Sequence, residues 1–596
     1  MLARLTSIAV VAALMAFLSG CQGVVTGSGN PNPPPPPNTP LDLSVILAGL
    51  QGGSVTSTPN GIDCGSTCNA SFNIGTTVTL TANPPSGGQF SGWSGACSGT
   101  DTTCTVSEGG SQTVTATFTG SLQSINHIVF MVQENRSLDH YFGALQAYRA
   151  ANNYPGTFDG LPQFNNPAGP VPTNPGCDPA FPFQQSPAPF NDCVTVLNGA
   201  IDPAAPLIQS FKLQSQCVEN PSPSWNESHV AWNVADPLSM TATMDGFVHA
   251  AAHDVRNLQY VPGANPPESD VNGMRVMGYY DQDVLPYYYF MASNFGTSDR
   301  WFSPVMTRTQ PNREFLMAAT SLGHVYPPLG ASEDTGGSMQ FTNKTIFQAL
   351  EEAGKSWKIY VTDSQFGSLP SHTELGMYTF ANSHTDHFVP ASKFLDDVKN
   401  GNLPAVAEID PGFASGTDEH AGQDDSNPGA KIQSGANYVA SLINALMQSP
   451  SWKDTVFILT FDEGGGFFDH VPPQPTVSPD GIKPVDLNPG TNGNGDICSD
   501  PTKQGITCDF VFTGFRVPII VISPFSKKSY VSHTVADHTA ILKFIETRFN
   551  ISSLTARDAA QIDMTEFFDF TAPWMTPPSN IPSQPTNAPC YMDHLP

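Results

Sequence analysis

The stretch "HIVFMVQENRSLDHYFG", residues 127–143, places a dense run of polar and charged side chains directly behind an apolar one. A short continuous apolar segment reads as a fully buried strand. In an open α/β sheet the ligand sits beyond the carboxyl ends of the strands. Glu134 and Asn135 therefore stand where chemistry is done. A second run, "TVFILTF" at 455–461, ends the same way, delivering Asp462 and Glu463 and then Gly464, Gly465 and Gly466, whose missing side chains permit close approach of a ligand. Three carboxylates and an amide oxygen brought to neighbouring strand ends would repel one another without a cation between them. Oxygen donors of this kind suit a hard or borderline divalent metal ion, whose identity the donors alone do not fix.

Outward from these two strands the texture is that of an α/β domain. Further strands are expected in "SWKIYVTD", "PAVAEID" and "RVPIIVIS", and helices in "KTIFQALEEAGK", "ANYVASLINALMQS" and "DHTAILKFIETRF", whose apolar residues recur near the helical period. Long Pro/Asn/Gly-rich loops at 150–225 and 472–510 are of the length that usually shapes a binding site.

The N-terminal part is built differently. Residues 1–21 carry Arg4 and an apolar stretch from Ile8 to Leu18, too short to span a bilayer, and read as a signal peptide. Its end, Leu18-Ser19-Gly20-Cys21, resembles the lipobox of bacterial lipoproteins, which implies lipidation of Cys21 and attachment to the bacterial cell envelope, facing the periplasm or the outside. Residues 22–40 are a Pro-rich spacer. Residues 41–120 alternate Thr and Val between Gly-rich turns, as in "TTVTLTANP" and "SQTVTATFTG", and are expected to form a small all-β module ahead of the domain at 121–596.

Acidic residues outnumber basic ones 52 to 24, a net charge of −28 that disfavours nucleic acid as a partner. With Cys21 set aside, ten cysteines remain, an even number that in an exported chain points to disulfides. The short spacings make Cys64–Cys68 and Cys97–Cys104 plausible pairs.

Six motifs in order carry a resemblance. "HIVFMVQENRSLDHYFG", "SWNESHVAWN" with "MDGF", "TRTQPNREF", "DEHAG", "FDEGGGFFDHVPPQ" and "SHTVADHTAILKFIE" resemble the bacterial phosphoesterase family that includes phosphatidylcholine-type phospholipases C and an acid phosphatase branch, related in fold to alkaline phosphatases. The run "FSGWSGACSGTDTTCTV" resembles the divergent InlB B-repeat, a β-grasp-like surface module. The resemblance implies an alkaline-phosphatase-like sheet flanked by helices and a substrate that is a phosphate mono- or diester, phospholipid included. It also implies metal binding at Glu134, Asn135, Asp462 and Glu463, with Thr309 as metal-bound nucleophile. His229 and His420 fall on the histidines that contact the phosphoryl group or leaving oxygen. His470 and Arg313 are candidates for substrate contact, Arg136 and His538 for structural roles.

Such a threonine is a poor nucleophile until a bound cation lowers its pKa, after which it can form a phosphothreonine that water hydrolyses. The rival from another class is a non-catalytic surface-binding lipoprotein that works through its β module.

Overall fold

The computed structural model describes residues 39–165, 168–177, 196–197, 200–260, 270–327, 341–364, 373–422, 431–490, 495–502, 505–592 and 595. The expected signal peptide, Cys21 and nearly all of the Pro-rich spacer lie outside them.

Residues 41–119 form two four-stranded sheets. In one, the two central strands Leu41–Gly49 and Gly110–Thr119 run parallel, Leu41 opposite Gly110. Alternate residues Leu41, Leu43 and Val45 point inward, and Val55, Val78, Leu80, Val114 and Phe118 complete the buried layer. This is the period-two pattern of a half-buried strand. Disulfides Cys64–Cys68 and Cys97–Cys104 close the module's turns, as their spacing predicts. The module is seated on the following domain at Gly87, whose carbonyl accepts from the Ser121 and Ser124 hydroxyls at 2.8 and 2.9 Å. A Cβ on Gly87 would stand 2.3 Å from the Gln123 carbonyl oxygen, and its φ of +73° is in the left-handed region, so only glycine fits.

The second domain is organised by one eight-stranded sheet, in spatial order Phe388–Pro390, Trp357–Val361, Val406–Asp410, His127–Gln133, Thr455–Phe461, Ile519–Ile522, Gly296–Ser298 and Val531–Ser532. Ile519–Ile522 runs against both of its neighbours, and every other pairing is parallel. All five anticipated strands lie side by side in it. The observed start at Ile519, later than the "RVPIIVIS" run, follows from Pro518, which has no N–H to give a ladder. The anticipated helices appear as Ile346–Glu352, Ile432–Met447 and Thr539–Phe549.

His127–Gln133 and Thr455–Phe461 are adjacent and in register from His127 opposite Thr455 to Gln133 opposite Phe461. Their next residues, Glu134 and Asp462, are thus delivered to the same end of the sheet. Among the described residues no helix is long and apolar enough to cross a membrane.

Candidate active site

Just past Gln133 the chain turns sharply. Asn135 has φ +58°, the left-handed conformation that asparagine tolerates better than most residues. Its N–H donates to Asp462 Oδ1 at 3.0 Å, and the same oxygen accepts from Glu463 N at 2.7 Å. The glycines after Glu463 admit neighbouring backbone: a Cβ on Gly465 would lie 2.2 Å from the Asn135 carbonyl oxygen, and one on Gly466 3.0 Å from that of Ser222. At Gly465 the missing side chain serves the packing of the two strand ends, and at Gly466 the approach of the Ser222 backbone.

Thr309 opens the helix Thr309–Ala318, every residue of which is buried. The approach is fixed by Asn312, whose amide oxygen accepts from Val305 N at 2.9 Å and whose nitrogen donates to the carbonyls of Thr307 and Arg308, both at 2.9 Å. Thr309 Oγ1 then lies 3.1 Å from both Glu134 Oε2 and Asn135 Oδ1.

Asn135 Oδ1 sits at the centre of an oxygen cradle. It is 2.5 Å from Glu463 Oε1, 3.2 Å from Asp462 Oδ1 and 3.3 Å from Glu134 Oε2. Exchanging the amide's oxygen and nitrogen would turn these contacts into hydrogen bonds, so a cation-free cradle favours the opposite orientation. His420 favours the one described. Its Nδ1 lies 2.5 Å from the Ala421 carbonyl oxygen and so carries the proton. In the neutral ring Nε2 is then an acceptor, and it stands 2.7 Å from the Asn135 amide position that must donate, the nitrogen. With nitrogen toward His420, oxygen faces the carboxylates, an arrangement that a bound cation stabilises.

The electrostatics agree. Arg313 Nε donates to Asp462 Oδ2 at 3.2 Å, and Nη2 donates to the Val132 carbonyl at 3.0 Å and to Glu134 Oε1. Three carboxylates against this one guanidinium leave two negative charges in a site where Glu134, Asn135, Thr309, Asp462 and Glu463 are all at most 2% exposed. Burial and then repulsion from Asp462 push the Glu134 carboxyl well above its usual range, only partly countered by Arg313. The donor set thus fits a divalent metal ion, with Glu134, Asn135, Thr309, Asp462 and Glu463 as its holders.

Two expected members, His229 and His470, stand elsewhere, and Arg313 sits in the cradle in another role. His229 is fully buried with Nδ1 2.7 Å from the Trp225 carbonyl and Nε2 3.0 Å from that of Thr507, so both nitrogens face backbone carbonyls rather than a phosphoryl group, and burial lowers its pKa. It ties the helix Trp225–Trp232 to the 472–510 loop, as the Asn226–Asp496 hydrogen bond also does, and Cys498–Cys508 closes that loop on itself. Arg313 is committed to carboxylates and not to substrate. His470 pairs with Asp139 at 2.7 Å and with Asp159 at 3.4 Å.

Asp139, Asp469 and His470 bring potential ligand atoms within 4.8 Å of one another. The cationic role there is already filled, since Arg516 reaches Asp469 at 2.8 Å and Asp139 at 3.2 Å. Asp537 accepts from Thr539 N at 2.9 Å just ahead of the Thr539 helix, whose N-cap position is held by His538; His538 is fully buried, its pKa lowered by burial to about 4. Arg136 is structural, donating to the Glu419 carbonyl at 2.9 and 2.6 Å.

Sequence reading missed Glu419 altogether. Its carboxylate is fully buried and accepts from Gln133 Nε2 at 2.9 Å, Tyr141 OH at 2.8 Å and Tyr288 OH at 2.5 Å. The available signal was its place in "DEHAG" between Asp418 and His420.

Residues 125–552 match the phosphoesterase family and residues 44–121 the divergent InlB B-repeat domain. The chain belongs to the phosphoesterase family and is a phosphoric ester hydrolase. It is 31% identical over 487 residues to phospholipase C B of Mycobacterium tuberculosis, covering 76% of this chain and 79% of that one. It is 27% identical over 497 residues to the non-hemolytic phospholipase C of Burkholderia pseudomallei, covering 76% and 60%. Among solved structures, an alkaline phosphatase superfamily protein from Vibrio parahaemolyticus aligns at 14% identity and a TM-score of 0.28, covering 47% of this chain and 64% of that one.

Proposed function

We propose that the protein hydrolyses phosphoric esters in a metal-dependent reaction through a phosphothreonine at Thr309, on phospholipase C-type diesters or acid phosphatase-type monoesters. The observation that carries this reading is the crowding of Thr309, Glu134, Asp462 and Glu463 oxygens around Asn135 Oδ1. Held by these residues, a divalent ion supplies charge neutralisation and a lowered threonine pKa.

Thr309 Oγ1 makes the new bond to phosphorus while its proton passes to Glu134 Oε2, 3.1 Å away. The bond from phosphorus to the leaving oxygen breaks, and the alcohol departs carrying the proton that Glu134 took from Thr309. Water then attacks the phosphothreonine and the bond from phosphorus to Thr309 Oγ1 breaks, one water proton passing by way of Glu134 to restore the Thr309 hydroxyl as the phosphate product leaves. The position of Thr309 at the first turn of a ten-residue helix favours the negative charge that gathers there. Phospholipid as substrate draws its support from the named activities of the M. tuberculosis and B. pseudomallei relatives.

The test is to strip the purified chain with chelator, restore single divalent ions, and assay p-nitrophenyl phosphate beside p-nitrophenyl phosphorylcholine. Acid-quenched turnover is then searched by peptide mass spectrometry for phosphate on Thr309. Activity indifferent to chelation, or phosphate nowhere on Thr309, rejects the proposal. Which of the two substrates turns over separates the monoester from the diester reading.

Lipid anchoring at Cys21 in a bacterial envelope belongs to the same proposal, supported by the lipobox-like residues and by disulfides such as Cys217–Cys590 that form in an oxidising compartment. Incorporation of labelled palmitate that is lost in Cys21→Ala checks it.

A further inference from the structure

We infer that Glu419 is a positioning residue for the oxygen cradle: its buried carboxylate holds the backbone in a left-handed turn that aims the residues on either side at Glu134 and Asn135. The inference rests on the metal-cradle reading above.

Glu419 has φ +71°, a left-handed conformation that is strained for a non-glycine residue and persists only where the surroundings over-determine it. Here they do. Three donors converge on its carboxylate from Gln133, Tyr141 and Tyr288, and two guanidinium nitrogens of Arg136 converge on its carbonyl. The seat is cut to fit the side chain as well, because a Cβ on Gly435 would stand 2.3 Å from Glu419 Cγ.

Both flanks of this residue serve the cradle. On one side the Asp418 carbonyl accepts from Glu134 N at 2.8 Å, fixing the peptide from which the Glu134 carboxylate springs. On the other, His420 meets the Asn135 amide at 2.7 Å and so decides which of its atoms faces the carboxylates. Gln133, which donates to Glu419 Oε1, is itself the residue before Glu134, so the clamp closes on the strand end from below. None of these contacts touches the reacting atoms. Glu419 acts through the ligands.

Supporting partners of ligands typically carry 10–100-fold in metal affinity or activity when removed. The experiment titrates Mn²⁺ and then Ca²⁺ into metal-stripped full-length wild type, Glu419→Ala and Glu419→Gln by calorimetry. kcat and KM are measured at a temperature where each is folded by circular dichroism. His229→Gln serves as a control for loss of a buried polar group away from the cradle.

The expected result for Glu419→Ala is a metal affinity weaker by ~10-fold or more and kcat lower by ~10–100-fold, with KM within about threefold. Glu419→Gln, which keeps the shape and most of the hydrogen bonds, restores both to within about fivefold. His229→Gln lowers the melting temperature but leaves metal affinity alone.

If wild type binds metal and folded Glu419→Ala binds it equally well, the inference is overturned while the cradle reading stands. If wild type itself binds neither ion, the cradle reading falls and takes this inference with it.

Discussion

Arg313 Nε lies 3.2 Å from Asp462 Oδ2 while the far side of the same guanidinium holds Glu134, so one cation braces the ends of two neighbouring strands. Removing it leaves two buried carboxylates facing each other. Arg313→Met is expected to destabilise the fold by roughly 3–5 kcal/mol at neutral pH, measured by urea denaturation. Arg313→Lys keeps the charge but cannot bridge both acids, so it falls between. Equal stability for Met and wild type would show that the brace is unimportant.

Thr309→Ser preserves a hydroxyl at the cradle and is expected to retain turnover within about tenfold, whereas Thr309→Ala loses at least ~10³-fold in kcat. Initial rates on p-nitrophenyl esters decide this. The alanine protein keeps its melting temperature within a few degrees, because the threonine makes no backbone cap in its helix.

The two strands that decide the fold were legible from the sequence because both are continuous apolar runs ending in acids, and their shared register explains why Glu134 and Asp462 meet. The short strands Phe388–Pro390, Gly296–Ser298 and Val531–Ser532 were not, since two or three residues leave no periodicity to read. His229 was misplaced for a different reason. A histidine inside a motif looks the same whether its nitrogens face a substrate or two carbonyls. Arg313 reads in the sequence equally as a phosphate ligand or as the partner of an acid, because sequence shows its charge and not the two acids that occupy it. Glu419 escaped notice because its partners Gln133, Tyr141 and Tyr288 are scattered along the chain.

His470 gives a pH test. Burial works against its charged form, but Asp139 and Asp159 outweigh that and raise its pKa to about 9. The imidazolium's contribution is therefore complete below the free value of about 6.5 and is lost as pH rises through 9. His470→Gln is expected to be less stable than wild type by roughly 2–3 kcal/mol near pH 6, and the gap to narrow steadily up to pH 9.5. A gap independent of pH would rule out the charged pair.

Glu408, buried on the Val406–Asp410 strand, shows the opposite sign. Burial lifts its pKa to about 7 despite Arg313. The folded state holds a proton that the unfolded chain releases near pH 4.3, so stability falls as pH climbs from there to 7 and is flat beyond. Glu408→Gln is expected to match wild type near pH 4.5 and exceed it by roughly 2–4 kcal/mol at pH 8, read from thermal melts. No gain at pH 8 would mean that the charged carboxylate is tolerated.

Cys217 and Cys590 are bonded across 373 positions, with Thr309, His420, Asp462 and Glu463 inside the loop so formed and Glu134 and Asn135 outside it. One cut by a protease at an exposed bend within that loop, such as the turn at Asp480 and Gly481, cannot release a fragment. The nicked chain stays a single covalent object whose pieces separate only after reduction. Such damage would then be invisible on a non-reducing gel, and both halves of the cradle would stay within reach of each other.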